Sequence, residues 1–336
     1  MKRAFKIFTG LILSLVLVIG SPIASAFAAT TPQQLIEKGN QEYSSKQYEE
    51  AIDTMDRALE LKPNFDEIAD ASIVKARSYA KLGYASFALK SLRKALEFKE
   101  TLVNSVEQDS DLDGLKSDSE FKALVLLYKG ILQNYDGNFK TGFDYIEQAI
   151  NEGPDFYKYF VALNSKANAL SGLEKYDEAI ALFQEAIGYA ADDFDKYTAF
   201  KNIGFNFSNQ EKYQNALLPL TLAVQYYDEA EREALPIPDR TDLAPVWETQ
   251  GWAFISLERY DEAIESFDKA VESDSNDAWA IYGKATSLAA LDKGDSALEN
   301  LKLAVDNEPE VAEDANNDLE WESLRSDSRF KAIVGS

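Results

Sequence analysis

Two segments decide the fold: Lys175-Tyr-Asp-Glu-Ala-Ile180 and Arg259-Tyr-Asp-Glu-Ala-Ile264, which differ only at their first residue. Looser copies are Gln47-Tyr-Glu-Glu-Ala-Ile52 and Lys212-Tyr-Gln-Asn-Ala-Leu217. Alignment on the alanine of these segments gives seven units, each with glycine or alanine twelve residues earlier and with alanine seven residues later. Repetition at a period of a few tens of residues is typical of arrays whose units pack on their neighbours.

Each unit predicts two short amphipathic helices, because larger apolar residues recur at helical spacing between the small positions. The small residues are expected where the two helices cross, since a side chain larger than a methyl group would push the backbones apart. No run of alternating apolar residues predicts a strand. The later alanines are Ala58, Ala95, Ala149, Ala186, Ala223, Ala270 and Ala304.

The unit around Ala263 resembles the tetratricopeptide repeat, a helix-turn-helix family. The residues that match its pattern are Trp247, Gly251, Phe254, Tyr260, Ala263, Phe267 and Ala270. The resemblance covers nearly all of residues 31–310. It implies an all-α fold, a right-handed α-solenoid of about seven helix-turn-helix units with a C-terminal capping helix.

The spacing of the units predicts the organisation of the chain. A signal peptide is expected at residues 1–28 and the solenoid at 29–336. The predicted units are 32–65, 69–101, 123–156, 160–193, 197–230, 244–277 and 278–311. Two longer intervals indicate insertions at 102–121 and 231–242, and residues 312–336 are expected to form the cap.

The N-terminal residues predict export. Lys2, Arg3 and Lys6 precede a short apolar run, which is followed by small residues with two A-x-A cleavage choices that end at Ala26 and Ala28. The apolar run is shorter than the about 20 residues that span a bilayer. We therefore expect a secreted, periplasmic or lumenal protein, with an uncleaved N-terminal membrane anchor as the alternative.

Composition excludes several functions. The 336 residues include 58 Asp and Glu against 34 Lys and Arg, and this net charge of −24 disfavours nucleic-acid binding. The absence of Cys and His excludes disulfides, thiolate nucleophiles and His-based acid–base pairs. We therefore predict a protein that is not an enzyme and needs no cofactor.

The first insertion also fits a calcium-loop pattern, D-x-D-x-D-G-x5-E. Its candidate ligands are Asp109, Asp111, Asp113 and Glu120. A second copy, which starts at Asp318, ends the chain, but it lacks the glycine and has Arg329 in place of the glutamate.

Both copies keep their apolar positions, and Ser117 with Glu120 fits a helix capping box. These features favour packing and capping over calcium binding. The terminal copy is expected to cover the exposed end of the solenoid.

The family resemblance implies that the first helices line a concave groove. Its positions include only three acids and three bases, so we expect a nearly neutral groove within an acidic chain. Asparagine amides can bind a peptide backbone, and aromatic rings supply contact area. The predicted groove residues are Asn40, Arg77, Lys81, Tyr128, Asn134, Asn164, Asn168, Lys201, Asn202, Phe205, Trp252 and Tyr282.

Together these features predict a non-catalytic protein–protein interaction scaffold. Its expected partner is an extended segment of another exported or membrane-anchored protein, and its expected role is the assembly of an envelope complex. One alternative is a calcium-responsive adaptor that uses residues 109–120. Another is a carbohydrate-binding protein that uses the groove aromatics.

Overall fold

The computed structural model describes residues 30–153, 155, 159–233 and 240–335. The predicted signal peptide and residues 234–239 of the second insertion lie outside these ranges. The helices are α1 Pro32–Ser44, α2 Tyr48–Glu60, α3 Phe65–Lys81, α4 Ala85–Phe98, α5 Val103–Gln108, α6 Ser119–Tyr135, α7 Phe139–Glu152, α8 Phe160–Gly172, α9 Tyr176–Ile187, α10 Asp193–Asn209, α11 Tyr213–Arg232, α12 Ala244–Ser256, α13 Tyr260–Ser273, α14 Ala278–Ala290, α15 Gly294–Asn307, α16 Val311–Asn317 and α17 Ser328–Val334. Short 3-10 helices lie at Glu100–Leu102, Ser110–Leu115, Arg240–Leu243 and Leu319–Trp321.

The long helices pack in consecutive antiparallel pairs: α1 with α2, α3 with α4, α6 with α7, α8 with α9, α10 with α11, α12 with α13, and α14 with α15. From α6 to α14, each first helix also contacts the first helix of the next pair. The described residues contain no strand. The predicted all-α solenoid is confirmed. None of the helices in the described part of the chain combines the length and the hydrophobicity needed to cross a bilayer.

The small residues lie at the helix crossings, as predicted. All seven later alanines are completely buried. At Gly204 an added Cβ would lie 2.5 Å from Leu220 Cδ2, and at Gly251 it would lie 2.6 Å from Phe267 Cζ. Carbon atoms pack at about 3.5–4.0 Å, so a side chain at either position would force the two helices of its unit apart.

The turn inside each unit contains a residue with left-handed backbone conformation. The seven residues are Lys46, Gly83, Gly137, Glu174, Glu211, Glu258 and Asp292. Only two of them are glycine, the residue that adopts this conformation without steric cost. The packing of the two helices therefore holds the turn in this conformation in the other five units.

The first insertion and the chain terminus have the same local structure. In both, a short helix leads into a 3-10 turn that buries an apolar side chain, Leu112 in the insertion and Trp321 at the terminus. The next helix then begins after a capping aspartate. Trp321 packs on Phe330, with ring centroids 5.6 Å apart, in a cluster with residues of α14 and α15. The terminal segment thus covers the end of the solenoid, as predicted.

The predicted capping box is wrong in its first residue. Asp118, not Ser117, is the N-cap of α6, because its backbone is extended and its carboxylate accepts a hydrogen bond of 2.8 Å from the Glu120 N–H. Asp327 caps α17 in the same way. Consequently α6 begins at Ser119, inside the range predicted as an insertion.

Candidate functional site

A cavity of about 790 Å³ lies against the first helices α6, α8 and α10. We call it the central cavity. Its volume is within the range of about 300–1,000 Å³ that is typical of ligand sites. Its aromatic lining residues are Phe65, Phe98, Tyr128, Tyr135, Phe139, Tyr159, Phe160, Tyr189 and Phe194.

Three asparagines line one side of the central cavity, and we call them the asparagine triad. Asn164 and Asn168 lie one helical turn apart on α8, and Asn202 faces them from α10. The Asn202 amide donates to Asn168 Oδ1 at 3.1 Å and to Asn164 Oδ1 at 3.4 Å. Their amide groups lie on both sides of one helix–helix contact, where Asn168 and Asn202 are partly exposed and Asn164 is buried.

Four carboxylates also line the central cavity: Glu97, Glu100, Asp192 and Asp195. Glu97 accepts a hydrogen bond from the Tyr159 hydroxyl, and Glu100 accepts one from the Tyr135 hydroxyl at 3.2 Å. Asp195 accepts one from the Ala191 N–H at 2.8 Å. The expected near-neutral groove is therefore wrong for this cavity, because these acids lie at helix ends outside the positions considered.

Burial makes two of these carboxyl groups weaker acids. It raises the pKa of Glu97, although the Tyr159 hydroxyl partly opposes this effect. It raises the pKa of Asp195 to about 6, and the nearby negative charges of Asp192 and Glu97 act in the same direction. Burial is the largest cause in both groups, and in Glu97 the positive charges of Arg93 and Lys94 also oppose the increase in pKa.

The groove surface of α1 and α3 is occupied by the first insertion. Arg77 Nε lies 2.6 Å from Asp109 Oδ2. Lys81 Nζ lies 2.6 Å from Asp111 Oδ1, and the Tyr43 hydroxyl donates to the other oxygen of the same carboxylate at 2.5 Å. Two of the predicted groove cations thus have partners within the chain.

The other two calcium candidates are also paired. Asp113 Oδ1 lies 2.6 Å from Lys116 Nζ, and Glu120 Oε1 lies 2.7 Å from Arg93 Nη2. Each of the four candidate ligands therefore has a cationic side chain as a neighbour. The described residues contain no group of three or more side chains arranged to hold a metal ion.

A family model, the tetratricopeptide repeat, matches residues 38–65, 161–193 and 244–277. The chain contains tetratricopeptide repeats. The matched segments lie in the pairs α1–α2, α8–α9 and α12–α13. The tetratricopeptide fold is that of a scaffold for protein–protein interaction, and its members are generally non-catalytic. A search of the curated proteins finds no match.

Several solved structures are similar to this repeat protein. YrrB, a TPR protein with an unusual peptide-binding site, is 20% identical, with a TM-score of 0.47 over 62% of this chain and 98% of YrrB. A MamA structure is 16% identical, with a TM-score of 0.44 over 55% of this chain and 96% of that one. MamA from Desulfovibrio magneticus RS-1 is 19% identical, with a TM-score of 0.45 over 56% and 96%. Similarity at this level does not extend to a ligand or a partner.

Six of the predicted groove residues line the central cavity: Tyr128, Asn134, Asn164, Asn168, Lys201 and Asn202. Asn134 and Lys201 are engaged by other parts of the chain. Asn134 donates to the Ser165 carbonyl at 3.0 Å, and Lys201 Nζ lies 3.2 Å from Asp242 Oδ2 of the second insertion. Tyr128 is 1% exposed and Asn164 is 8% exposed, whereas Asn168 and Asn202 are partly exposed, so the triad is accessible mainly through Asn168 and Asn202.

The other six predicted residues lie away from the central cavity. Asn40 donates to the Ile36 carbonyl of its own helix at 2.8 Å. Arg77 and Lys81 pair with the first insertion. Phe205, Trp252 and Tyr282 pack in hydrophobic clusters between repeats. The Tyr282 hydroxyl also donates to Asp318 of the terminal copy.

The carboxylates of the central cavity were not predicted from the sequence. Glu97 lies near the end of a second helix, and Asp195 lies before the first repeat position of its unit. Neither position belongs to the groove pattern of the family. Only the stacking of α4 beside α6 and of α8 beside α10 brings them to one cavity.

Proposed function

We propose that this repeat protein binds an extended segment of another protein in the central cavity and acts as a scaffold outside the cytoplasmic membrane. The asparagine triad carries the proposal. Its amides can donate to and accept from a peptide backbone whatever side chains the peptide carries. The aromatic walls add apolar contact area at a small cost in side-chain entropy.

The place of action is proposed from the N-terminal sequence. Export through a signal peptide would bring the protein to other exported or membrane-anchored proteins, and the proposed role is assembly of an envelope complex. The mass of the protein isolated from its host tests this step. A chain that begins just after Ala26 or Ala28 is expected. A chain that retains Met1 would contradict cleavage.

The geometry favours neither alternative function over peptide binding. Every candidate calcium ligand has a cationic neighbour. For carbohydrate binding, the predicted aromatics Trp252 and Tyr282 pack on one another, with ring centroids 6.0 Å apart, rather than lining the central cavity. Peptide binding in the central cavity is therefore the function that the geometry favours.

The test is to replace Asn164, Asn168 and Asn202 together with alanine. Their amides bond to one another, so removing all three leaves no side-chain partner unpaired. We expect the labelled full-length variant to lose most of its binding to a bead-displayed library of random nonapeptides. We expect its melting temperature to stay within a few degrees of the wild-type value.

The matched control replaces Asn300, Asn316 and Asn317 with alanine. Each donates to a backbone carbonyl four residues earlier, and none lines the central cavity. This variant should retain its binding to the library. Equal binding by the two variants would contradict the proposed site.

A further inference from the structure

The carboxylates of the central cavity form no salt bridge within the described residues, although the positive charges of Arg93 and Lys94 lie near enough to Glu97 to lower its pKa. Glu97, Glu100, Asp192 and Asp195 receive hydrogen bonds only from hydroxyl or backbone N–H groups. None of the four forms a salt bridge with a lysine or arginine in the described ranges of the chain. In the first insertion, by contrast, all four candidate calcium ligands are paired with cations. In the described residues, salt bridges therefore engage the acids of the first insertion but not those of the central cavity.

Two cations near the central cavity, Lys201 and Arg93, are already engaged. Lys201 is the single cation among the cavity-lining residues, and its ammonium lies 3.2 Å from Asp242 and 4.7 Å from the centre of the Tyr197 ring. The Arg93 guanidinium lies 4.7 Å from the centre of the Tyr159 ring and pairs with Glu120. The lining thus has four carboxylates and one ammonium, and that ammonium is already compensated.

Aromatic rings surround the same carboxylates. The Tyr159 and Tyr135 hydroxyls donate to Glu97 and Glu100, so both rings lie beside the negative charges. Phe194 lies next to Asp195 in the chain, and all of these side chains line the same cavity. Carboxylates combined with aromatic faces attract an organic cation by charge and by cation–π interaction. An anionic ligand would meet repulsion, so a clamp for a terminal carboxylate does not fit here.

We propose that the central cavity selects peptide segments that carry a lysine or arginine side chain, with the cation held near Glu97 and Asp195. This inference rests on the proposed function, because it specifies the segment that the asparagine triad holds. The aromatic rings would contact the aliphatic stem of that side chain, and the carboxylates would replace part of the water lost by its charge. The partner is therefore a protein with an exposed, extended and basic segment.

The test uses acetylated, amidated nonapeptide pools in which the central residue is fixed as Lys, Arg, Leu or Glu and the other positions are random. Affinities of the full-length protein are measured by fluorescence anisotropy. We expect the Lys and Arg pools to bind about tenfold more tightly than the Leu pool, and the Glu pool to bind most weakly. In the double variant Glu97→Gln, Asp195→Asn, this preference should fall to less than threefold, while the Leu pool binds as before.

The control removes the same two charges from an exposed surface. Glu49→Gln with Asp53→Asn changes α2, whose residues do not line the central cavity, and this variant should keep the tenfold preference. Circular dichroism checks that both variants are folded. Equal binding of the Lys, Arg and Leu pools, or a preference that survives in the cavity variant, would overturn the inference but leave the peptide site intact. Failure of every pool to bind would contradict the proposed function itself.

Discussion

The N-terminal block, α1 to α4, and the central block, α6 to α11, are built from the same repeat but differ in what fills their groove. In the N-terminal block, the first insertion places Asp109 and Asp111 on Arg77 and Lys81. In the central block, the groove remains a cavity whose carboxylates form no salt bridge within the described residues. The repeat determines the scaffold, and the insertions determine which part of its concave side is available.

The same comparison extends along the chain. Three segments outside the repeats each place an aspartate on a tyrosine of a first helix: Asp111 on Tyr43, Asp242 on Tyr197 and Asp318 on Tyr282. The two insertions and the terminal copy therefore bind the concave side of their own chain. The central cavity lies between the first two of these contacts, in a part of the groove that remains open.

The largest expected loss of stability comes from removing the buried side chain that holds the first insertion in place. Leu112 is completely buried in the core of the N-terminal block, so Leu112→Ala should lower the free energy of unfolding by about 2–5 kcal/mol. Urea denaturation measures this loss. Hydrogen exchange should show faster exchange in residues 109–115, with little change in α8 and α10.

The control for this prediction is Leu319→Ala in the terminal copy. Leu319 is 77% exposed, so its loss should change stability by no more than about 0.5 kcal/mol. Equal losses for the two variants would show that the insertion is not held by its buried side chain.

Glycine-to-alanine substitutions at the helix crossings should lower stability by a smaller amount, and by different amounts in the two blocks. A Cβ added at Gly130 in the central block would lie 2.6 Å from Ile146 Cγ1 and 2.8 Å from the Gly142 carbonyl oxygen. The backbone cannot yield easily, so Gly130→Ala should cost about 1–3 kcal/mol. At Gly39 in the N-terminal block, the first contact is the flexible end of Met55, at 2.6 Å from Cε.

Because Met55 can change its rotamer, the clash in Gly39→Ala should lower the free energy of unfolding by less than about 1 kcal/mol. The higher helix propensity of alanine offsets this loss. Thermal denaturation of the two single variants tests the difference. A larger loss at Gly39 than at Gly130 would contradict it.

The contributions of Asp195 and Asp111 to stability should change with pH in opposite directions. Burial raises the pKa of Asp195 to about 6 from its ordinary 3.8. The stability linked to its protonated form is fully present below pH 3.8 and is lost as the pH rises through about 6. Asp195→Asn should therefore raise the free energy of unfolding by about 1 kcal/mol at pH 8 and change it little at pH 4.

Asp111 in the first insertion is the opposite case. Hydrogen bonds from the Lys81 ammonium and then from the Tyr43 hydroxyl lower its pKa below 3.8. Its contribution to stability is present above pH 3.8 and is lost as the pH falls further. Asp111→Asn should lower the free energy of unfolding by about 1 kcal/mol at pH 7, with less effect at pH 2. Equal signs for Asp195→Asn and Asp111→Asn in urea denaturation near neutral pH would contradict the comparison.

The smallest expected change in stability comes from glycine substitutions in the turns, and it should be the same in both blocks. Lys46 and Glu211 occupy the same turn position with φ of 63° and 58°. Glycine relieves the steric cost of this conformation, so Lys46→Gly and Glu211→Gly should each stabilise the protein by about 0.5–1 kcal/mol. Differential scanning calorimetry compares the two shifts. A gain in one block and a loss in the other would show that the turns are not equivalent.

The helical pairs and the terminal cap could be predicted from the sequence because their signals are repeated. The three small-residue columns recur in seven units, and the terminal copy shares its apolar positions with the first insertion. The left-handed turn residue could not be predicted in the same way, since glycine marks it in only two units. At Glu211 and Lys46 the helix packing, not the residue type, imposes the conformation.

The candidate site was only partly predictable. The asparagine triad follows from groove positions of the repeat, and all three residues line the central cavity. Arg77 and Lys81 occupy the same kind of position, but carboxylates about thirty residues later in the chain engage them. A position in a repeat indicates which way a side chain points, but it does not show what covers that side chain.

The sequence alone shows that this protein is an acidic array of paired helices, because each repeat pattern consists of residues that are close together in the chain. Only the tertiary structure decided where the array is open. Glu97 and Asp195 line one cavity although they belong to different repeats, and Asp109 meets Arg77 across a helix pair. Such contacts depend on how the units stack and on where the insertions pack, and no local pattern of residues specifies either.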